Sequence, residues 1–139
     1  MPQTFNRIWI HAFFSTHEKK PIITQKIENK LFHYIGKLFV EMKCHVVIIN
    51  GTNNQVHCLF LLNARASISE TIKNIKGNSS HYINQHNLTR EKFSWQVGYS
   101  AFSVSESNYS LVYQFIKNLS THQKTLKNPY EGFINLYND

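Results

Sequence analysis

The chain has 139 residues, 42% hydrophobic and 14% aromatic, with 15 Lys and Arg set against 8 Asp and Glu for a net charge of +7. That length fits one domain, 1–139, and excludes two comfortable ones; no apolar run approaches the ~20 residues of a membrane-spanning helix, which excludes a membrane partner. The only aspartate is Asp139. So basic a surface suits phosphates, although a merely solubilising surface would carry the same charge.

In chain order, residues 5–15 are aromatic and β-branched and predict a buried first strand, with no cleavage pattern of a signal peptide. A charged turn, 16–21, closes on Pro21. From Thr24, a candidate N-cap, to Met42, the apolar residues Ile27, Leu31, Ile35 and Leu38 recur at helical steps. Residues 44–50 predict a second strand, 51–54 a turn and 55–62 a third strand, together a hairpin. Ser67 with Glu70 forms a capping-box pattern before a second helix over 68–86, with Gly77 a weak point. Two short strand pieces, 93–96 and 99–105, precede a third helix that Ser107 caps and that carries Leu111, Val112, Phe115, Ile116 and Leu119. The segment 126–139 reads as a tail or short helix. The order β-α-β-β-α-β-α predicts an α+β fold, a ferredoxin-like split β-α-β plan with helices on one face of an antiparallel sheet. Cys44 and Cys58 have no spaced partners, which points to a reducing cytoplasm.

Gln55 and His57 raise the chemical question. At i and i+2 on a strand they share a face, and two histidines so spaced would converge on a metal ion. Here the first is a glutamine.

The stretches IWIHAFFST, CHVVIING, QVHCLFLL, SISETIKNIKGNSSHYIN, FSWQVGYSAFSVSES and VYQFIKN run nearly end to end, and through them the chain resembles the small single-tyrosine transposases of insertion sequences, the HUH class. The resemblance implies a tyrosine on the third helix that attacks single-stranded DNA, and a divalent cation held by two histidines and a glutamine. It also implies recognition of DNA hairpins, a covalent phosphotyrosine intermediate and a homodimer. Carried over singly, the first histidine falls on Gln55, the second on His57, the tyrosine on Phe115 and the glutamine on Leu119, so three of these four groups are replaced. Positions 115 and 119 would share one helix face. Tyr113, roughly 200° around the helix from Phe115, should point away from the strand, and Tyr109, Tyr130 and Tyr137 have no matching spacing. The bland reading of His57 is a hydrogen-bonded strand histidine, and of Phe115 and Leu119 core residues.

The binding equipment remains. Lys73, Lys76 and Ser80 recur at helical spacing beside Asn78 and Ser79, in the stretch whose family counterpart contacts DNA; a solvated helix face would have the same spacing. Arg7, Arg65, Lys92 and Lys117 widen the basic set, and Trp95, Tyr99 and Phe102 are either stacking platforms or core. The expectation is a catalytically inactive, domesticated transposase-like protein that binds single-stranded or hairpin DNA in the bacterial cytoplasm, nucleoid-associated when bound. It would need no cofactor and hold Mg²⁺ or Mn²⁺ weakly, through His57 at most. It would work as a homodimer or within a larger complex with a partner protein. The alternatives are an active single-strand transposase with an unusual nucleophile, and an RNA-binding or protein-interaction module.

Overall fold

The structure, a computed structural model, describes residues 7–120. The expected tail at 126–139, with Tyr130 and Tyr137, lies outside the described residues, as do the first two positions of the expected strand at 5–15. Four strands, β1 (Trp9–Ser15), β2 (His45–Gly51), β3 (Gln55–Leu61) and β4 (Ser100–Val104), form one sheet in the order β2-β3-β1-β4. All three pairings are antiparallel. The helices are α1 (Gln25–Glu41), α2 (Ile68–Gln85) and α3 (Glu106–Lys117).

The alternation of each central strand divides the molecule. Ile10, Ala12 and Phe14 of β1 and Val56, Cys58 and Phe60 of β3 join Leu31, Ile35, Leu38 and Phe39 of α1 and Ile72, Ile75 and Ile83 of α2 in the main core. The other face carries a smaller cluster, Leu59 with Val104, Val112 and Ile116, packed by Trp9, Tyr109, Tyr113 and Phe115. So α1 and α2 cover one face and α3 the other, which corrects the expectation of helices on one face only. The apolar stripe of α3 is short, and its partners are the outward residues of β1, β2 and β3, whose direction depends on strand register.

A bulge in β2 sets that register. The ladder shifts between Val46 and Ile48, so Val47 and Ile48 both pack on the small cluster while Val46 and Ile49 pack on the main core. One extra residue reverses the alternation beyond it. Asn50, paired with His57, therefore faces α3. Its Nδ2 lies 2.9, 3.2 and 2.7 Å from the carbonyl oxygens of Ile116, Lys117 and Leu119, which satisfies carbonyls that a helix end leaves open.

The caps follow the sequence with one change. Ser67 Oγ accepts from Glu70 N at 3.1 Å, as the capping box predicts. Thr24 is the N-cap of α1 by position and makes no side-chain capping bond. The third helix is capped by Ser105, whose Oγ accepts from Asn108 N at 3.3 Å, two residues before the expected Ser107; both serines precede the same apolar stripe, and pattern alone does not choose between them. Of the expected strand at 93–96 there remains one bridge, Trp95 to Thr16.

The hairpin turn has no room for a side chain at Gly51, where a Cβ would overlap the Gln55 carbonyl. Gly51→Ala should therefore lower stability by about 1–3 kcal/mol, the scale of overpacking, as a lower urea midpoint with an unchanged denaturant slope. An unaltered midpoint would show that the turn relaxes freely.

Candidate functional site

The site lies on the α3 face of the sheet, where β1 and β3 each contribute alternate residues. His11, Phe13 and Ser15 come from β1 and Gln55 and His57 from β3, and because strand partners point the same way, Phe13 lies opposite His57 and Ser15 opposite Gln55. His11 stands diagonally from His57. Its Nε2 is 2.9 Å from His57 Nδ1, His57 Nε2 is 3.1 Å from Gln55 Oε1, and Gln55 Nε2 donates to Ser15 Oγ at 3.4 Å.

With the Gln55 amide placed as it is, these bonds set the protons. The Gln55 carbonyl only accepts, so His57 Nε2 carries its hydrogen; a neutral imidazole has one N–H, so Nδ1 accepts and His11 Nε2 donates. Turning the amide over reverses the chain and leaves every pair bonded. Both histidines are buried. Burial pushes the His11 imidazolium down to about 3, and burial followed by repulsion from His11 holds His57 well below its ordinary value. Both are neutral at pH 7, and among the described residues no buried side-chain polar atom lacks a partner.

Aromatic rings close the site. Phe13 stacks on His57 with centroids 4.8 Å apart, and Phe102 of β4 stacks beyond Phe13 at 6.5 Å. Phe115 of α3 meets both histidines edge-on, at 6.2 Å from His11 and 5.8 Å from His57. Its ring has no oxygen to attack a phosphate. Position 115 therefore lies over His11 and His57. Leu119 does not share its helix face, because α3 ends at Lys117 and Leu119 stands past the Asn118 cap. The 3.1 Å bond from Leu119 N to Ile116 O and the pull of Asn50 on the Leu119 carbonyl end the helix there. Tyr113 is half-buried against the small cluster, not turned away from the sheet as expected, and Tyr109 packs edge-on against Trp9 at 5.0 Å.

The donors do not make a set for the divalent cation that the resemblance implies. Gln55 Oε1 and His57 Nε2, the two atoms a cation would need, are bonded to each other through a hydrogen, and His57 Nδ1 is engaged by His11. Hard cations such as Mg²⁺ favour carboxylate oxygens. Among the described residues no group of three or more His, Cys, Asp and Glu is placed to hold a metal.

Of the residues expected to touch DNA, Arg7, Lys73 and Asn78 are exposed and Ser80 is half-exposed. Asn78 Nδ2 donates to Asn74 O at 3.0 Å, and Ser80 Oγ to Gly77 O at 3.1 Å. Two others face the protein. Lys76 Nζ donates to Gln96 O at 2.7 Å and Gly98 O at 2.6 Å, and partial burial lowers its pKa. Ser79 is buried, and its Oγ donates to Lys76 O and accepts from Trp95 Nε1 at 3.0 Å. Helical spacing is the same for a residue facing solvent and one facing a neighbouring loop, which is why the sequence misplaced both. Trp95 is core, edge-on to Phe14 and Phe93; Tyr99 and Phe102 are exposed. His11 is the site residue that sequence reasoning missed; its signal was a lone histidine inside an apolar strand.

The histidine chain links stability to pH. Unfolded His11 takes a proton near 6.5 and folded His11 only near 3, so between those values the unfolded state binds more protons and stability falls as pH falls. The expected slope is about 1.4 kcal/mol per pH unit for one such group. His11→Gln should flatten denaturant-derived stability against pH by about that amount between pH 6 and 4; an identical slope would mean that His11 is not held neutral.

Comparison with known proteins agrees with this architecture. Two solved structures share the fold: a candidate transposase of Deinococcus radiodurans R1, with TM-score 0.69 and 17% identity over 89% of this chain and 98% of that one, and a REP-associated tyrosine transposase bound to a REP hairpin, with TM-score 0.63 and 13% identity over 84% and 68%. A search of curated proteins gives no match. The family description "Transposase IS200 like" matches residues 4–119, most of the chain, and the chain belongs to the IS200-like family of single-tyrosine, HUH-class transposases.

Proposed function

We propose that this protein binds single-stranded or hairpin DNA without cutting it. The observation that carries this reading is Phe115, a ring without a hydroxyl, set over a histidine pair whose nitrogens are bonded to protein partners. A family nucleophile must attack a phosphodiester and hold the strand covalently; a benzyl side chain does neither. The net charge of +7 survives intact, and the related REP-associated transposase was solved with a REP hairpin. Recognition of a mobile element's ends, or regulation of that element, needs binding alone. The family resemblance also carries a homodimer, which sedimentation of the purified chain tests. Among the described residues no helix is long and apolar enough to cross a membrane.

In this reading the chain works without a cofactor. Neutral His57 has its one N–H and its one ring-nitrogen lone pair engaged by Gln55 and His11, so Mg²⁺ or Mn²⁺ should produce no saturable heat in calorimetry at pH 7; a tight site would contradict the reading. Incubation with labelled hairpin-bearing single-stranded DNA and Mn²⁺ should give a native gel shift and no denaturation-resistant adduct. A resistant adduct would establish an active transposase with a substitute nucleophile.

Phosphate contact falls to exposed Lys73 rather than Lys76. Lys73→Ala should lower the slope of log Kd against log salt by about 0.7–0.9, the value for one phosphate, with no change in melting temperature. An unchanged slope would remove Lys73 from the interface.

A further inference from the structure

Beside the histidine chain, between the turn that follows β1 and the loop that precedes β4, lies a concavity of about 320 Å³. Phe13 and Ser15 of β1 line it, with Lys19 on one side and Gln96, Gly98 and Tyr99 on the other. That volume is at the small end of the ~300–1,000 Å³ of small-ligand sites. Lys19 is the charged member of the lining, and it is positive.

The walls are built and tied. Gln96 N donates to Ser15 O at 2.8 Å, and Glu18 N donates to Gln96 Oε1 at 3.0 Å, which joins the two sides. Asn54 Nδ2 donates to Lys19 O at 3.3 Å, and Lys76 clamps the carbonyls of Gln96 and Gly98. Within this frame Glu18 and Lys19 take φ of 56° and 54°. Left-handed backbone at two successive residues with side chains is unfavourable and persists only where the surroundings impose it. The same frame leaves Val97 93% exposed and Tyr99 41% exposed, an apolar and an aromatic side chain turned outward on a loop tied at Gln96 and Gly98. A loop so held, with such side chains turned outward, is suited to a flat partner.

We propose that this concavity seats one unpaired base of a DNA strand. Tyr99 offers a ring for the face of the base, the Ser15 and Ser100 hydroxyls and loop amides offer partners for its edge, and Lys19 offers a cation for the neighbouring phosphate. Lys76 is a positioning residue that holds the loop. Ser15 also accepts from Gln55, so the seat adjoins the histidine chain. The inference rests on the DNA-binding reading and deepens it by naming where single-stranded DNA is held.

The test uses the full chain and a hairpin with a single-stranded flank. Each flank nucleotide is replaced in turn by an abasic one, and Kd is read by fluorescence anisotropy for the wild type and for Tyr99→Ala and Lys19→Ala. One position should cost the wild type about tenfold or more in Kd, and the same replacement should cost Tyr99→Ala little further, because the partner ring is already gone. Equal binding by every abasic flank, or the same penalty in wild type and Tyr99→Ala, overturns the seat while leaving hairpin binding in place. Should the hairpin itself fail to bind, the DNA reading falls separately. Titration with the four deoxynucleoside monophosphates then reads the concavity alone: amide shifts confined to Lys19 and residues 96–100 support the seat, and the absence of shifts there overturns it.

Discussion

The hydrogen bond between His11 and His57 organises the outward face of the sheet. Two imidazoles buried 46 residues apart in sequence are tolerable only because each is neutral and each nitrogen between them has a defined role. Once His57 accepts from His11, its other nitrogen must donate, and Gln55 takes that proton and passes the polarity on to Ser15. The chain turns what would otherwise be an open set of ligands into a closed network. Phe13 and Phe115 then cover it, and the low polarity of that cover is what keeps both histidines neutral.

Placement of the cover depends on the β2 bulge. Without the extra residue at Val47, Asn50 would face the main core, and the last carbonyls of α3 would lack the amide that gathers them. The same contacts end the helix at Lys117 and leave Leu119 outside it. Leu119 thus stands apart from the helix face that carries Phe115. On the α3 face Phe115, Val112 and Ile116 pack with Leu59 and Val104.

On the opposite side of the histidine chain the molecule stays polar and exposed. Lys76 exchanges solvent for two carbonyls and in doing so shapes the 96–98 loop, while Lys73, one turn earlier on α2, stays exposed. The basic character of the chain is thus divided between cations that build the surface and cations that can meet a phosphate.

The sequence by itself determined the elements, their order and the family. Period and capping place α1, α2 and the hairpin within a residue or two, because those signals are local: the 3.6-residue stripe, Ser67 with Glu70, and Gly51 before the turn. It also determined the chemistry of Gln55, His57 and Phe115, since a missing hydroxyl or imidazole is legible in one letter. Tertiary structure decided what is not local. That α3 lies on the other face depends on the β2 bulge, that His11 completes the polar chain depends on the β1–β3 register, and that Lys76 and Ser79 face a loop depends on where residues 94–98 return to α2. Each is a long-range pairing of groups whose own spacing is compatible with either direction, so only the packed chain could choose between them.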